Sequence, residues 1–183
     1  MRDRLDHGQF THHGREMRWE LFTDPDSGPP WENDDGVGIV SDWRPKASKK
    51  PGEVIINTDH DSCRLYDVQA TTEKARKDGW GLSQPQLEEL AQRLGYPFWS
   101  MLSKGEIAAE AVRLDIERMY GWCNDDWFYV GVVVTDLISG ESESCWCIES
   151  DGGYWKEVRD DLASQLHPEA EAHEAANLEV CSD

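Results

Sequence analysis

The sequence predicts an α+β domain in which a small antiparallel sheet is packed by three or four helices. The sheet has a long central hairpin at about residues 127–135 and 144–149. The longest apolar run, residues 127–135, is rich in Val, Phe and Tyr, which are strong strand formers. Both parities of this run are apolar, so both faces of the strand should be covered.

The turn of the hairpin sets a predicted register for its two strands. A Ser139-Gly140 turn pairs Thr135 with Ser144 and leaves Asp136 opposite Glu143. Such a like-charge pair costs stability unless both side chains reach into water. This register places two sets of side chains on opposite faces: Phe128, Val130, Val132 and Val134 with Cys145 and Cys147, and Tyr129, Val133, Trp146 and Ile148.

Helix signals flank the hairpin on both sides. Capping boxes begin at Ser83 and Ser103, and Gly79 and Gly95 suit the position after a helix C-terminus. These signals and the apolar periodicity predict helices near residues 71–78, 84–94, 104–119 and 154–166. Shorter strands are predicted over residues 17–22, 53–57 and 62–68.

The predicted domain organisation has three parts. Residues 1–16 form a polar N-terminal segment that is non-periodic and expected to be poorly ordered. Residues 17–166 form a single α+β domain, and residues 167–183 form an acidic C-terminal tail with little reason to pack.

Charge is the feature of the sequence that bears most directly on function. The net charge is −19, and residues 120–183 hold fifteen Asp and Glu side chains against Lys156 and Arg159, a local charge of −13. Such a concentrated charge indicates a basic partner, or else a highly solvated face. The candidate partner-binding residues are Asp125, Asp126, Glu141, Glu143, Glu149, Asp151, Glu157, Asp160 and Asp161.

The sequence supports an enzymatic or metal-binding function less well than the binding of a basic partner. The sequence has no nucleophile elbow, phosphate loop or dinucleotide fingerprint, so we expect no catalytic residue and no cofactor. Cys145 and Cys147 lack the usual spacing of a structural zinc site and are expected to be buried small side chains. A metal-dependent enzyme using the Asp-rich loops remains an alternative, with oxygen ligands for calcium or magnesium from Asp24, Asp26, Asp34 and Asp35, or from Asp59 and Asp61.

Composition also bears on location and on other partners. No run is long enough to span a membrane, and the N-terminus has no apolar signal region. The five cysteines fit free thiols in a reducing compartment, so we expect a cytoplasmic protein without membrane contact. The one basic cluster, residues 44–50, is short, and the acidic field repels phosphate, so we expect no direct nucleic-acid binding.

Several sequence segments between residues 30 and 166 resemble segments of a family of small acidic proteins encoded by tailed bacteriophages. They are Trp31-Glu32-x-x-Asp35-Gly36-x-Gly38-x-Val40-Ser41-Asp42-Trp43, Tyr66-Asp67-x-Gln69-Ala70, Ala75-Arg76-x-Asp78-Gly79-Trp80, Trp127-x-Tyr129-Val130-Gly131-Val132-x-Val134-Thr135 and Trp146-x-Ile148-Glu149-Ser150. The resemblance brings no functional residue with it. It implies a setting among phage accessory genes, many of which inhibit host restriction or CRISPR systems, some by imitating DNA.

The leading hypothesis combines the charge with this resemblance. It is a phage-type accessory protein that inhibits a basic, nucleic-acid-handling host defence protein in the host cytoplasm by DNA-mimicking contacts. The alternatives are a metal-dependent enzyme and a structural or virion-associated protein whose charge serves solubility. The sequence leaves the oligomeric state open.

Overall fold

The computed structural model describes residues 2–33 and 37–166 and has an α+β fold, as predicted. These residues form two compact units, each with its own sheet and core. Unit 1 contains residues 2–28 and 127–166, and unit 2 contains residues 29–33 and 37–126. The structure therefore has two sheets where the sequence analysis predicted one. The acidic tail and Asp34 and Asp35 lie outside the described residues.

The described strands and helices agree broadly in position with the sequence pattern. The strands are β1 (Arg4–His12), β2 (Arg15–Thr23), β3 (Arg44–Pro45), β4 (Glu53–Asp59), β5 (Ser62–Asp67), β6 (Tyr129–Asp136) and β7 (Ser142–Glu149). The α-helices are α1 (Pro30–Asn33), α2 (Val68–Asp78), α3 (Gln84–Leu94), α4 (Lys104–Cys123) and α5 (Trp155–Leu166).

Unit 1 is a four-stranded antiparallel sheet in the order β1-β2-β6-β7, with α5 packed on one face. The predicted central strand, β6, is an interior strand, and most of its side chains are buried whichever face they occupy. β7, the second strand of the predicted central hairpin, lies at the edge of the sheet. The core of this unit contains Met17, Leu21, Val130, Val132, Val134, Ile148, Val158, Leu162 and Ala163.

The N-terminal segment corrects a prediction. Residues 4–12 form β1, which pairs along its length with β2, so the expectation of poor order over residues 1–16 is wrong for the described part. His13 and Gly14 both have positive φ and make the two-residue turn that joins the strands. Phe10 packs against the core, while most of β1 is exposed, as the polar composition of an edge strand requires.

The register of the β6–β7 hairpin also differs from the prediction, by two residues. Thr135 pairs with Ser142, and Glu143 lies opposite Val134 rather than Asp136. The cause is Asp136, which is fully buried and accepts hydrogen bonds from the backbone N–H groups of Ile138 and Ser139. Arg15 lies 2.7 Å from the same carboxylate and compensates its charge.

Because β7 contains a bulge, some of its side chains lie on the opposite face of the sheet from the one predicted. The register shifts between Val130, which pairs with Ile148, and Val132, which pairs with Cys145. Cys147 has a φ of 61° and takes up the extra residue, so Ile148 turns into the core beside Val130. The ring of Trp146 lies over Gly131 so closely that any side chain at position 131 would overlap it.

Unit 2 places α2 and α4 against a three-stranded antiparallel sheet in the order β3-β5-β4. Its main core includes Val37, Ile56, Tyr66, Ala75, Ala108, Val112 and Met119. One buried carboxylate oxygen of Asp115 accepts hydrogen bonds from the Tyr66 hydroxyl at 2.6 Å and the Gly38 N–H at 2.8 Å. These bonds tie α4 to β5 and to the loop that contains Gly38.

The predicted helices are present, with boundaries that follow their caps. The capping boxes at Ser83 and Ser103 form, and Gly79 and Gly95 end their helices in the left-handed conformation. α2 begins three residues earlier than predicted because Asp67, rather than a threonine, accepts the capping hydrogen bond from Ala70. Within the described range, no helix has the length and apolar content required to cross a membrane.

Candidate acidic interface

Three of the predicted partner-binding carboxylates lie together on α5. The helix buries Val158 and Leu162 in the core of unit 1, and a period of 3.6 residues then directs Glu157, Asp160 and Asp161 toward solvent. All three residues are exposed. The sheet holds the opposite side of the helix, so these carboxylates are displayed from a fixed backbone.

The two basic residues of α5 lie close to aromatic rings. Arg159 is 4.6 Å from the ring centre of Phe10 and also pairs with Asp160 at 2.7 Å. Lys156 is 5.6 Å from the ring centre of Trp155. Each cation therefore has an aromatic neighbour. α5 carries three carboxylates against these two cations, a net charge of −1.

Four further candidate residues belong to β7 and its flanking turns. Glu141 and Glu143 are exposed at the start of the strand, Glu149 is half-buried at its end, and Asp151 is exposed in the following turn. The structure thus places seven of the nine candidates in unit 1. They lie on β7, on its flanking turns and on α5, which packs against β7.

A cavity of about 560 Å³ lies between the end of β7 and the start of α5. Glu149 and Asp151 bring two carboxylates to its wall. Its other lining residues include Cys145, Cys147, Ile148, Tyr154 and Val158. The cavity combines an apolar wall with negative charge, a composition suited to the alkyl chain and charged head of a lysine or arginine.

Asp125 and Asp126 belong to unit 2, whereas the other seven candidates belong to unit 1. Both are exposed after the C-terminus of α4, and Asp125 has a φ of 61°. The backbone N–H of Asp126 donates a hydrogen bond to the Gly121 carbonyl at 2.9 Å. These two residues terminate the helix, and their charges lie at its negative end, where carboxylates are unfavourable.

Asp24 is a buried carboxylate whose structural role the sequence analysis missed. It accepts hydrogen bonds from the Ser27 hydroxyl at 2.6 Å and from the Cys147 N–H at 3.0 Å. Burial raises the pKa of Asp24, but these hydrogen bonds and the charge of Arg2 outweigh it, so the pKa lies below its ordinary value of 3.8. Asp24 thereby fixes the bulge that shapes the cavity, and a single Asp in a turn-rich loop gives no sequence signal of this contact.

We expect Asp24→Asn to destabilise unit 1 at neutral pH by about 1–2 kcal/mol, because a charge-assisted hydrogen bond becomes a neutral one. A carboxyl with a lowered folded-state pKa contributes stability above its unfolded value, 3.8, and loses it as pH falls through the folded value. The difference between parent and variant should therefore shrink below about pH 4. Thermal melts across the acid range measure this difference.

Asp26→Asn is the matched control for this experiment. Asp26 is an exposed carboxylate two residues away, and its ion pair with Arg2 lies at the surface. Surface ion pairs contribute about 0–1 kcal/mol, so its loss should change the melt little at any pH. Equal effects of the two substitutions would contradict the role assigned to Asp24.

Cysteines and acidic loops do not assemble a metal site in the described residues. Residues 2–33 and 37–166 contain no group of three His, Cys, Asp or Glu side chains able to hold an ion. Asp26 pairs with Arg2, and Asp59 lies 2.6 Å from the His60 ring nitrogen. Cys147 is exposed, which corrects the expectation of a buried side chain, because the bulge turns it away from the core.

The chain matches no protein-family model, no curated protein and no solved structure.

Proposed function

We propose that the chain is a phage-type accessory protein that binds a basic, nucleic-acid-handling host defence protein of the restriction or CRISPR type in the host cytoplasm. Its acidic face would occupy the surface on which the partner binds phosphates. The observation that carries this proposal is the row of exposed carboxylates on α5, Glu157, Asp160 and Asp161, held by a helix whose other side is buried.

The spacing of these carboxylates supports mimicry of a phosphate backbone. A rise of about 1.5 Å per residue separates Glu157 from Asp161 by about 6 Å along the helix axis, with Asp160 between them. The axial intervals, about 4.5 Å from Glu157 to Asp160 and about 1.5 Å from Asp160 to Asp161, average about 3 Å. A strand of duplex DNA carries one charge per about 3.4 Å of axis.

The cavity beside this row offers a place for one basic side chain of the partner. Glu149 and Asp151 supply negative charge at its wall, and Ile148 and Val158 supply apolar contact. A lysine or arginine that normally contacts a phosphate would find both a counter-charge and packing there. This feature favours a shaped interface over charge that serves only solubility.

Neutralising the row tests the proposal. We expect the triple substitution Glu157→Gln, Asp160→Asn and Asp161→Asn to slow association with the partner about tenfold at low ionic strength, because rim charges steer encounter. The partner is first isolated from host lysate on immobilised parent protein. A competition assay then measures how parent and variant displace labelled DNA from the purified partner between 0.1 M and 1 M salt. The parent alone should not bind the DNA.

A second triple variant provides the matched control. Asp61→Asn, Glu73→Gln and Glu89→Gln remove the same charge from exposed positions of unit 2. Equal competition by the two triple variants would show that total charge, rather than the α5 row, governs binding. Binding of the partner without displacement of DNA would rule out mimicry and favour a structural or virion-associated role.

A further inference from the structure

A patch of exposed apolar side chains lies at the end of α3 and in the segment that follows it in unit 2. We name it the connector patch and define it as Leu94, Phe98, Trp99 and Met101. Phe98 is 67% exposed and Met101 is 53% exposed. In the described residues, twelve large hydrophobic side chains are exposed, and these four lie within eight consecutive positions. Helix α3 contacts the turn formed by residues 99–101, so these side chains are also neighbours in space. Contiguous apolar patches mark interaction surfaces, whereas single exposed apolar side chains are ordinary.

The backbone beneath the connector patch is well fixed. The Tyr96 N–H donates to the Ala91 carbonyl at 2.8 Å, and the Leu102 N–H donates to the Trp99 carbonyl at 3.0 Å. The Tyr96 hydroxyl donates to Glu106 at 3.0 Å, and Glu106 also accepts from Ser103 at the start of α4. The apolar side chains are therefore presented from an ordered segment, which lowers the entropy lost on binding.

A cavity of about 510 Å³ adjoins the patch. It is lined by Glu88, Ala91, Gln92, Tyr96, Pro97, Phe98 and Trp99. Glu88 is the one charged residue in this lining, and it is exposed. The cavity is large enough for an apolar side chain and places a carboxylate beside it.

We infer that the connector patch is a docking surface for a protein segment that carries apolar side chains flanked by Lys or Arg. Phe98, Trp99 and Met101 provide apolar contact, and Glu88 provides the complementary charge. A second copy of the chain is a poor occupant because each copy carries a net charge of −19. This surface lies in unit 2 and does not depend on the carboxylates of α5 or on the function proposed for them.

A synthetic peptide tests the inference directly. The probe is a labelled helix of about fifteen residues with leucine on one face and lysine on the other. We expect the purified full chain to bind it with a dissociation constant of about 1–100 μM. Fluorescence anisotropy should show affinity lowered at least about tenfold by Phe98→Ser or Met101→Ser, because apolar anchors dominate such contacts.

Control variants and control peptides distinguish binding through the apolar side chains of the connector patch from attraction to the overall negative charge of the chain. Ile138→Ser removes a side chain that is 75% exposed in unit 1 and should leave affinity unchanged. A serine–lysine peptide of equal charge should bind at least about tenfold more weakly than the leucine–lysine peptide. A leucine–glutamate peptide should not bind. Thermal melts of both connector variants should match the parent, because their side chains are exposed.

Several results would overturn the inference. Equal affinity of the parent and Phe98→Ser, or equal binding of the two lysine peptides, would mean that charge alone holds the probe. Equal binding of the leucine–glutamate peptide would contradict the inference that the partner segment is basic. A parent that sediments as a dimer and dissociates on Phe98→Ser would identify a second copy as the occupant. No detectable binding of the leucine–lysine peptide would also overturn it.

Discussion

We expect Val132→Asp to unfold unit 1. Val132 is fully buried in the interior strand β6, within the core cluster that α5 covers. An aspartate there has no cation in that cluster, and an uncompensated buried charge costs about 3–5 kcal/mol. That cost approaches the whole stability of a small unit, about 5–15 kcal/mol. Circular dichroism melts and urea titration should show loss of the native transition.

The control for this result places the same charge at the surface of the same unit. Ile138 is exposed in the turn between β6 and β7, so Ile138→Asp should change stability by less than about 0.5 kcal/mol. If Val132→Asp melts within about a degree of the parent, residue 132 cannot be in a packed core.

We expect the second largest effect from Gly38→Ala, which crowds the core of unit 2. A methyl group at position 38 would overlap the Tyr66 ring. The ring cannot easily move, because Tyr66 is fully buried and its hydroxyl donates to Asp115 at 2.6 Å. Overpacking of this kind costs about 1–3 kcal/mol. Thermal unfolding of the purified variant gives the measurement.

Two comparisons identify the overlap as the cause. Gly81→Ala adds a methyl group into open space in the same unit and should have little effect. In a Tyr66→Leu background, which lacks the ring atoms that overlap, Gly38→Ala should cost clearly less. A cost that stays the same in both backgrounds would place its origin elsewhere than in the Tyr66 ring.

The helices could be predicted from the sequence because their signals are local. The capping boxes at Ser83 and Ser103 depend on residues three positions apart, and the glycines that end α2 and α3 act at single positions. The strand β6 was also predictable, since its continuous apolar run requires burial on both faces. The sequence signals that predict each of these elements therefore lie within a few residues of one another.

The register of the sheet depends on partners that are distant in sequence. Arg15 compensates the charge of the buried Asp136. Asp24 accepts a hydrogen bond from the Cys147 N–H, which lies 123 positions away in the sequence, and no local sequence pattern indicates this contact. The division into two cores was equally hidden, because β2 pairs with β6 across the whole of residues 29–126. Periodicity alone cannot reveal such pairings.

The candidate site was predictable in part. Helical periodicity correctly predicted that Glu157, Asp160 and Asp161 share the exposed face of α5. Assignment of Asp125 and Asp126 to the same surface rested on proximity in sequence, and the structure places these two residues in the other unit. The cavity beside β7 could not be predicted, because it depends on the bulge at Cys147.

The edge position of β7 gives its acidic residues a second consequence. An open strand edge presents unpaired backbone groups to which another copy can add a strand, and charged side chains oppose such addition. Glu141, Glu143 and Glu149 place three like charges along or beside this edge. Neutralising Glu141 and Glu143 together to Gln should therefore permit edge-to-edge aggregation, which light scattering would detect, whereas a Glu143→Lys variant should remain dispersed. The carboxylates that are candidates for recognising a partner would thus also keep the molecule from recognising itself.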